Sequence, residues 1–130
     1  MKLETIKKKG QNYYIKYLKR KLDELWSLYV RKRDGYSCVI CGSKKKLQNG
    51  HLIRRGKWSV RYNEFNQNAK CSRHNFLHNE YPEYYTDWFI KKFGAKKYNE
   101  LVELSKIKKQ FSVSELEAML EKIKSRILRI

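Results

Sequence analysis

Apolar positions recur at three- and four-residue steps in two long stretches of the chain. Leu18, Leu22, Leu25, Trp26, Tyr29 and Val30 form the first series, while Lys16, Arg20, Lys21, Lys32 and Arg33 fall mostly elsewhere on the wheel. That spacing predicts an amphipathic helix over residues 13–34, closed at Asp34-Gly35, where glycine accepts the left-handed backbone of a helix end. Leu116, Met119, Leu120, Ile123 and Ile127 form the second, and Ser112 with Glu115 three residues later reads as its capping box. Between them, Pro82 opens a helix that carries Tyr85, Trp88, Phe89 and Phe93 and closes at Gly94. A further helix is expected from Ala95 to about Lys109, with Tyr98, Leu101, Val102 and Leu104 on or near its buried side. The Leu47 to Ile53 and Val60 to Phe65 segments read as short strands, and Cys71 to Glu80 as a turn opening into a short helix. The lysine-rich start is expected to be a frayed basic arm, residues 1–12. These elements describe an α+β chain, mostly helical, built as one domain: the arm, the helix at 13–34, a core at 38–80 and a helical carboxy-terminal part at 82–130.

Charge narrows the partners. Among 130 residues, 31 are Lys or Arg and 13 are Asp or Glu, a formal net charge of +18. Self-repulsion of that size opposes compaction, and a polyanion is the usual compensation. Nucleic acid leads, ahead of an anionic membrane surface or a merely soluble basic protein. Aromatic residues at 14% argue against disorder. No run of about 18 apolar residues marks a membrane span, and the basic start lacks a signal-peptide core, so an intracellular location is expected.

All three cysteines and all three histidines lie between residues 38 and 78. An odd cysteine count in a reducing compartment favours metal ligation over disulfides. Cys38-Val-Ile-Cys41, followed about thirty residues later by Cys71-Ser-Arg-His74, supplies four ligands in two pairs. A structural Zn²⁺ takes such a closed tetrahedral set, and the bland reading is three small buried apolar side chains.

Between these pairs lies a second group with its own chemistry. His51 stands at the end of an expected strand beside Gly50, which permits close approach of a phosphate or metal. A neutral imidazole can take a proton from water at pH 7, the task of a general base in phosphodiester hydrolysis. Such hydrolysis also needs a cation on the scissile phosphate. Asn75, with His78 or Asn79 about one helical turn later, can present ligands for it from one helix face. Asn75 alone would hold it weakly, so Asn49, His78, Asn79 or a backbone carbonyl is expected to help. Asn66 can fix the imidazole by hydrogen bonding to backbone or ring. Taken singly, each is more often structural; an isolated loop Asn is usually a turn residue.

Together these residues carry a resemblance. Cys-x-x-Cys, Gly-His, an Asn five residues before a Cys, and Cys-x-x-His-Asn resemble an HNH, or ββα-metal, nuclease finger. More closely, Leu25-Trp26-Ser27, Arg31 to Asp34, Cys38 to Gly42, Leu47 to Arg54, Arg61 to Asn66 and Cys71 to Asn75 resemble the NinG/Rap family of phage recombination endonucleases. Tyr84 or Tyr85 and the Phe93-Gly94 helix end also fit, so the likeness spans roughly Lys21 to Leu104. It implies a zinc-stapled ββα-metal finger with flanking helices, in a phage-encoded endodeoxyribonuclease of the host cytoplasm. The implied activity is hydrolysis of branched DNA, such as Holliday junctions or D-loops, with magnesium or alternatively manganese. By position, the resemblance makes His51 the general base, Asn66 the orienting Asn and Asn75 the metal ligand borne on the helix. The chain departs from the pattern twice: His74 replaces the usual fourth Cys, and Gly50 stands where nucleases of the endonuclease VII type have Asp.

Arg54, Arg55, Lys57 and Arg61 follow His51 and are expected to contact phosphates, with Lys44 and Lys45 as further non-specific contacts. Trp58 and Tyr62 either stack on an unpaired base or pack in the core. Symmetric cutting of a four-way junction needs two active sites, so a homodimer through the terminal helices is expected. The rival functions are a nicking or homing HNH endonuclease on linear duplex, and a non-catalytic zinc module that binds nucleic acid.

Overall fold

A computed structural model describes residues 2–130. In chain order it contains α1 (Leu3–Lys8), α2 (Gln11–Arg33), β1 (Leu47–His51), α3 (Trp58–Arg61), a 3-10 turn (Glu64–Asn66), β2 (Gln67–Cys71), α4 (Ser72–Glu80), α5 (Pro82–Phe93), α6 (Ala95–Ser105) and α7 (Val113–Arg129). The chain packs as two compact units. One comprises the residues up to Tyr29 together with Gln110–Ile130, and the other is Val30–Lys109.

In the first unit, α2 and α7 lie against each other through the stripes that their periodicity predicts. Leu18, Leu22 and Trp26 are buried, as are Leu116, Leu120 and Ile123. Tyr14 donates a hydrogen bond to Glu117 at 2.8 Å, and the Arg126 guanidinium lies 5.7 Å from the Trp26 ring centroid. The expected capping box is present, with Ser112 Oγ accepting from the Glu115 amide and Glu115 accepting from the Ser112 amide. The amino-terminal segment is not a frayed arm over its described residues. Leu3–Lys8 is helical and buries Ile6, a single apolar anchor that lysine-rich composition obscures.

The second unit holds a two-stranded antiparallel sheet, in register from Leu47 opposite Cys71 to His51 opposite Gln67. α4 packs on this hairpin, and Leu52, Val60, Tyr85, Phe89 and Leu101 form the core beside it. The second strand is not Val60 to Phe65. Val60 and Tyr62 are buried from a short helix and the loop after it, while the strand is the mostly polar Gln67–Cys71. All five of its residues are buried, so it has no alternation to read.

Its polar groups are satisfied by neighbours instead. Asp34 accepts from the Ala69 amide at 2.8 Å, and Arg33 donates to the Gln67 and Glu64 carbonyls at 2.6 and 3.0 Å. Asn68 donates to the Tyr85 hydroxyl, which itself donates to the Gly50 carbonyl, each at 2.8 Å. The expected helix from Ala95 to about Lys109 stops four residues early, at Ser105, and Leu104 is exposed rather than buried.

Candidate active site and metal centre

The two cysteine pairs converge. Cys38, Cys41, Cys71 and His74 each offer one ligand atom, and those four atoms all lie within 4.8 Å of one another. Cys71 Sγ lies 3.2 Å from His74 Nδ1, and Cys41 Sγ lies 3.9 Å from Cys71 Sγ. The local sequence explains the arrangement. Gly42 takes a positive φ of 76°, which closes the first turn with its amide on the Cys38 carbonyl. Cys71 is the last residue of β2 and the cap of α4, so His74 comes round one helical turn later onto the same side. Burial raises the Cys38 thiol, but the amides of Cys71, Cys41 and Ile40 together outweigh it and hold its pKa below the usual value. Burial, with Arg73 and Lys70 nearby, lowers His74 and keeps its imidazole neutral. Two buried cysteines, one exposed cysteine and a neutral histidine are the donor set of a Cys₃His zinc site.

A second site lies beyond the hairpin. A cleft of about 460 Å³ is lined by Asn49, His51, Arg54, Arg55, Asn75, His78 and Asn79. His51 Nε2 lies 3.0 Å from the Arg61 carbonyl. A carbonyl only accepts, so Nε2 carries the proton and Nδ1 keeps its lone pair. His78 repeats the pattern, with Nε2 3.0 Å from the Leu52 carbonyl. Its pKa is lowered by burial, which keeps it neutral, and its Nδ1 is buried without a hydrogen-bond partner. Asn49 donates to Gln67 at 2.8 Å, but its buried Oδ1 accepts nothing. Orphaned buried acceptors are rare in folded proteins, and two on one cleft fit a cation better than empty space.

Gly50 and Asn75 meet beside this cleft. A Cβ built on Gly50 would stand 3.1 Å from Asn75 Oδ1 and 2.7 Å from Lys70 Cδ. Lys70 therefore fills the volume that a side chain at position 50 would take. It is 1% exposed, its ammonium lies 3.8 Å from the Tyr85 ring centroid, and burial lowers its pKa to about 8, against the pull of Cys38 and Cys71.

The full chain, residues 1–130, matches the family model described as bacteriophage lambda NinG protein. The chain belongs to the NinG family. No curated protein and no solved structure matches it.

In this NinG-family chain the fold gathers most of the residues singled out from the sequence. Cys38, Cys41, Cys71 and His74 form one cluster, and His51, Asn75, His78, Asn79, Arg54 and Arg55 share one cleft. Asn66 lies behind the cleft, fully buried, and touches the backbone rather than the imidazole. Its Oδ1 accepts from the Ile53 amide at 2.7 Å, and its Nδ2 donates to the Ile53 and Val60 carbonyls at 3.0 Å each. Lys57 lines a neighbouring cleft, and the Arg61 guanidinium lies 4.2 Å from the Trp58 ring centroid. Lys44 and Lys45 are exposed before β1 and line neither cleft. Sequence reasoning offered Asn49 as one of several possible aids to Asn75 in holding a cation, and passed over Lys70. Asn49 adjoins the Gly-His pair, a usable signal, whereas a lysine before a cysteine announces nothing.

Proposed function

We propose that this NinG-family protein is a metal-dependent endodeoxyribonuclease that hydrolyses phosphodiester bonds in branched DNA. The observation that carries the reading is the 3.0 Å approach of His51 Nε2 to the Arg61 carbonyl, from which the tautomer follows. With Nε2–H engaged by the Arg61 carbonyl, Nδ1 is the nitrogen able to take a proton from water. That water oxygen bonds to phosphorus as the bond to the leaving oxygen breaks, and Arg54 and Arg55 face the phosphate from the same cleft. A divalent cation supplies charge neutralisation on the phosphate and leaving oxygen when bound. Asn75, Asn49 and His78 are the groups that would hold it, with Asn79 at the rim.

The cleft-lining residues include no carboxylate, so the cation is expected to bind weakly until a phosphate joins the shell. An imidazole nitrogen in the set also suits manganese better than magnesium. The nitrogens at His51 Nδ1 and His78 Nδ1 are shielded from bulk water in this conformation, so the reading requires the cleft to open when DNA enters. The Cys₃His centre contributes scaffold alone, since four protein ligands leave zinc no open position.

The test is cleavage of a labelled four-way junction and a linear duplex of matched sequence by the zinc-loaded protein, with magnesium, with manganese or with no further divalent ion. Cuts near the branch point that need the ion and vanish in His51→Ala are expected. Cuts at a fixed sequence in the linear duplex would favour a nicking or homing enzyme. Tight junction binding without cuts under any ion would reduce the protein to a zinc-containing binding module.

A further inference from the structure

A second cleft, of about 270 Å³, opens beside the first. Arg54, Lys57 and Trp58 line one wall, and Lys106, Lys108 and Lys109 line the other. Five cationic side chains face this trough and no carboxylate lines it. Arg54 belongs to both clefts, so the trough continues directly from the site around His51. The early end of α6 creates it. Had the helix run to Lys109, these lysines would wind around an axis; instead residues after Ser105 leave the helix and run past α3. Ser59 Oγ fixes this crossing by donating to the Leu104 carbonyl at 2.7 Å. Lys106 pairs with Glu103 at 2.8 Å, but both side chains are mostly exposed, and such a pair yields readily to a phosphate.

We infer that this trough holds the DNA backbone on one flank of the scissile phosphate, an assignment that rests on the nuclease reading of the adjoining cleft. The chemistry specifies the occupant. Clustered cationic side chains on a wall that no carboxylate lines recognise a chain of phosphodiesters and give it no base sequence. A strand whose reactive phosphate sits by His51 passes its next phosphates across Arg54 and onto Lys57, Lys108 and Lys109. The lysines come from segments about fifty residues apart in sequence, so only the folded chain assembles the surface.

The experiment measures binding apart from cleavage. In a His51→Ala background, zinc-loaded and with no further divalent ion added, the affinity for a labelled junction is followed against salt concentration, for the parent and for Lys108→Ala/Lys109→Ala. A charge-matched pair, Lys91→Ala/Lys96→Ala, exposed on α5 and α6, serves as control. Each phosphate contact contributes about 0.9 to the slope of log affinity against log salt, so the trough variant should lose about two from its magnitude. At 0.1 M salt its affinity should fall on the order of tenfold per lysine, with the control far less affected. Neutral methylphosphonate linkages on one flank of the cut should weaken the parent and add nothing to the variant. An unchanged slope, an equal loss in the control, or equal sensitivity on both flanks would overturn the assignment. If the parent protein never cuts, the nuclease reading fails while the salt slopes still decide whether the trough binds DNA.

Discussion

At the scale of single residues, Gly50 and Lys70 form one unit. A methyl group at position 50 meets the Lys70 stem at 2.7 Å, inside contact distance, in a place where the stem is fully enclosed. Gly50→Ala should therefore destabilise by about 1–3 kcal/mol, as overpacking does. Lys70→Ala in the same chain should recover part of that, a coupling that denaturant unfolding of the four-member cycle would read. Additive effects would mean that the two side chains do not share the space. Lys70 also makes a prediction about pH. Folding lowers it from its ordinary 10.5 to about 8, so below pH 8 both states hold the proton and the fold bears the full penalty of a buried ammonium. Between pH 8 and 10.5 the unfolded chain alone holds the proton, and stability rises with pH. In metal-free protein, Lys70→Met should thus melt above the parent at pH 7, and the gap should close as pH rises through that window. Zinc-bound thiolates favour the ammonium, so metal should narrow the gap at pH 7.

At the scale of elements, the metal centre joins the turn after α2, the end of β2 and the start of α4. A chelator, or Cys71→Ser, should lower the melting temperature and strip helical signal from α4, with circular dichroism as the readout. The same centre shows what the sequence made legible. Two Cys pairs at fixed spacing mark their own geometry, and the helices of α2, α5 and α7 follow from their apolar stripes. The strand partner of β1 could not be read that way. Gln67-Asn-Ala-Lys-Cys71 is mostly polar, and what makes it a strand is distant: Asp34 on its Ala69 amide, Arg33 on its Gln67 carbonyl, Tyr85 against Asn68. The Val60 to Phe65 segment drew the assignment because Val60 and Tyr62 are buried, although from a short helix and the loop after it. Of the proposed active site, the member residues were visible in sequence, while the tautomer of His51 and the filling of position 50 depend on Arg61 and Lys70 across the hairpin.

At the scale of the whole molecule, no helix among the described residues is long and apolar enough to cross a membrane, and a polyanion is the natural counter-charge of a +18 chain. A homodimer through the terminal helices would have to use surfaces other than Leu116, Leu120 and Ile123, which are buried within the chain. Two chains bound to one four-way junction, by light scattering of the complex, would fit symmetric cutting; one chain per junction with single-strand nicks would count against it. The hold on His51 has a last consequence, for the genetics of such a protein. The acceptor that sets its tautomer is a main-chain oxygen, which no codon change can delete. A saturation scan would be blind to it at position 61 and would register its loss elsewhere, at Asn66, which grips the carbonyl one residue earlier while lining neither the cleft nor the metal cluster. Inactive alleles would gather at a buried asparagine, and only an amide-to-ester exchange in the backbone itself would reveal the group they disturb.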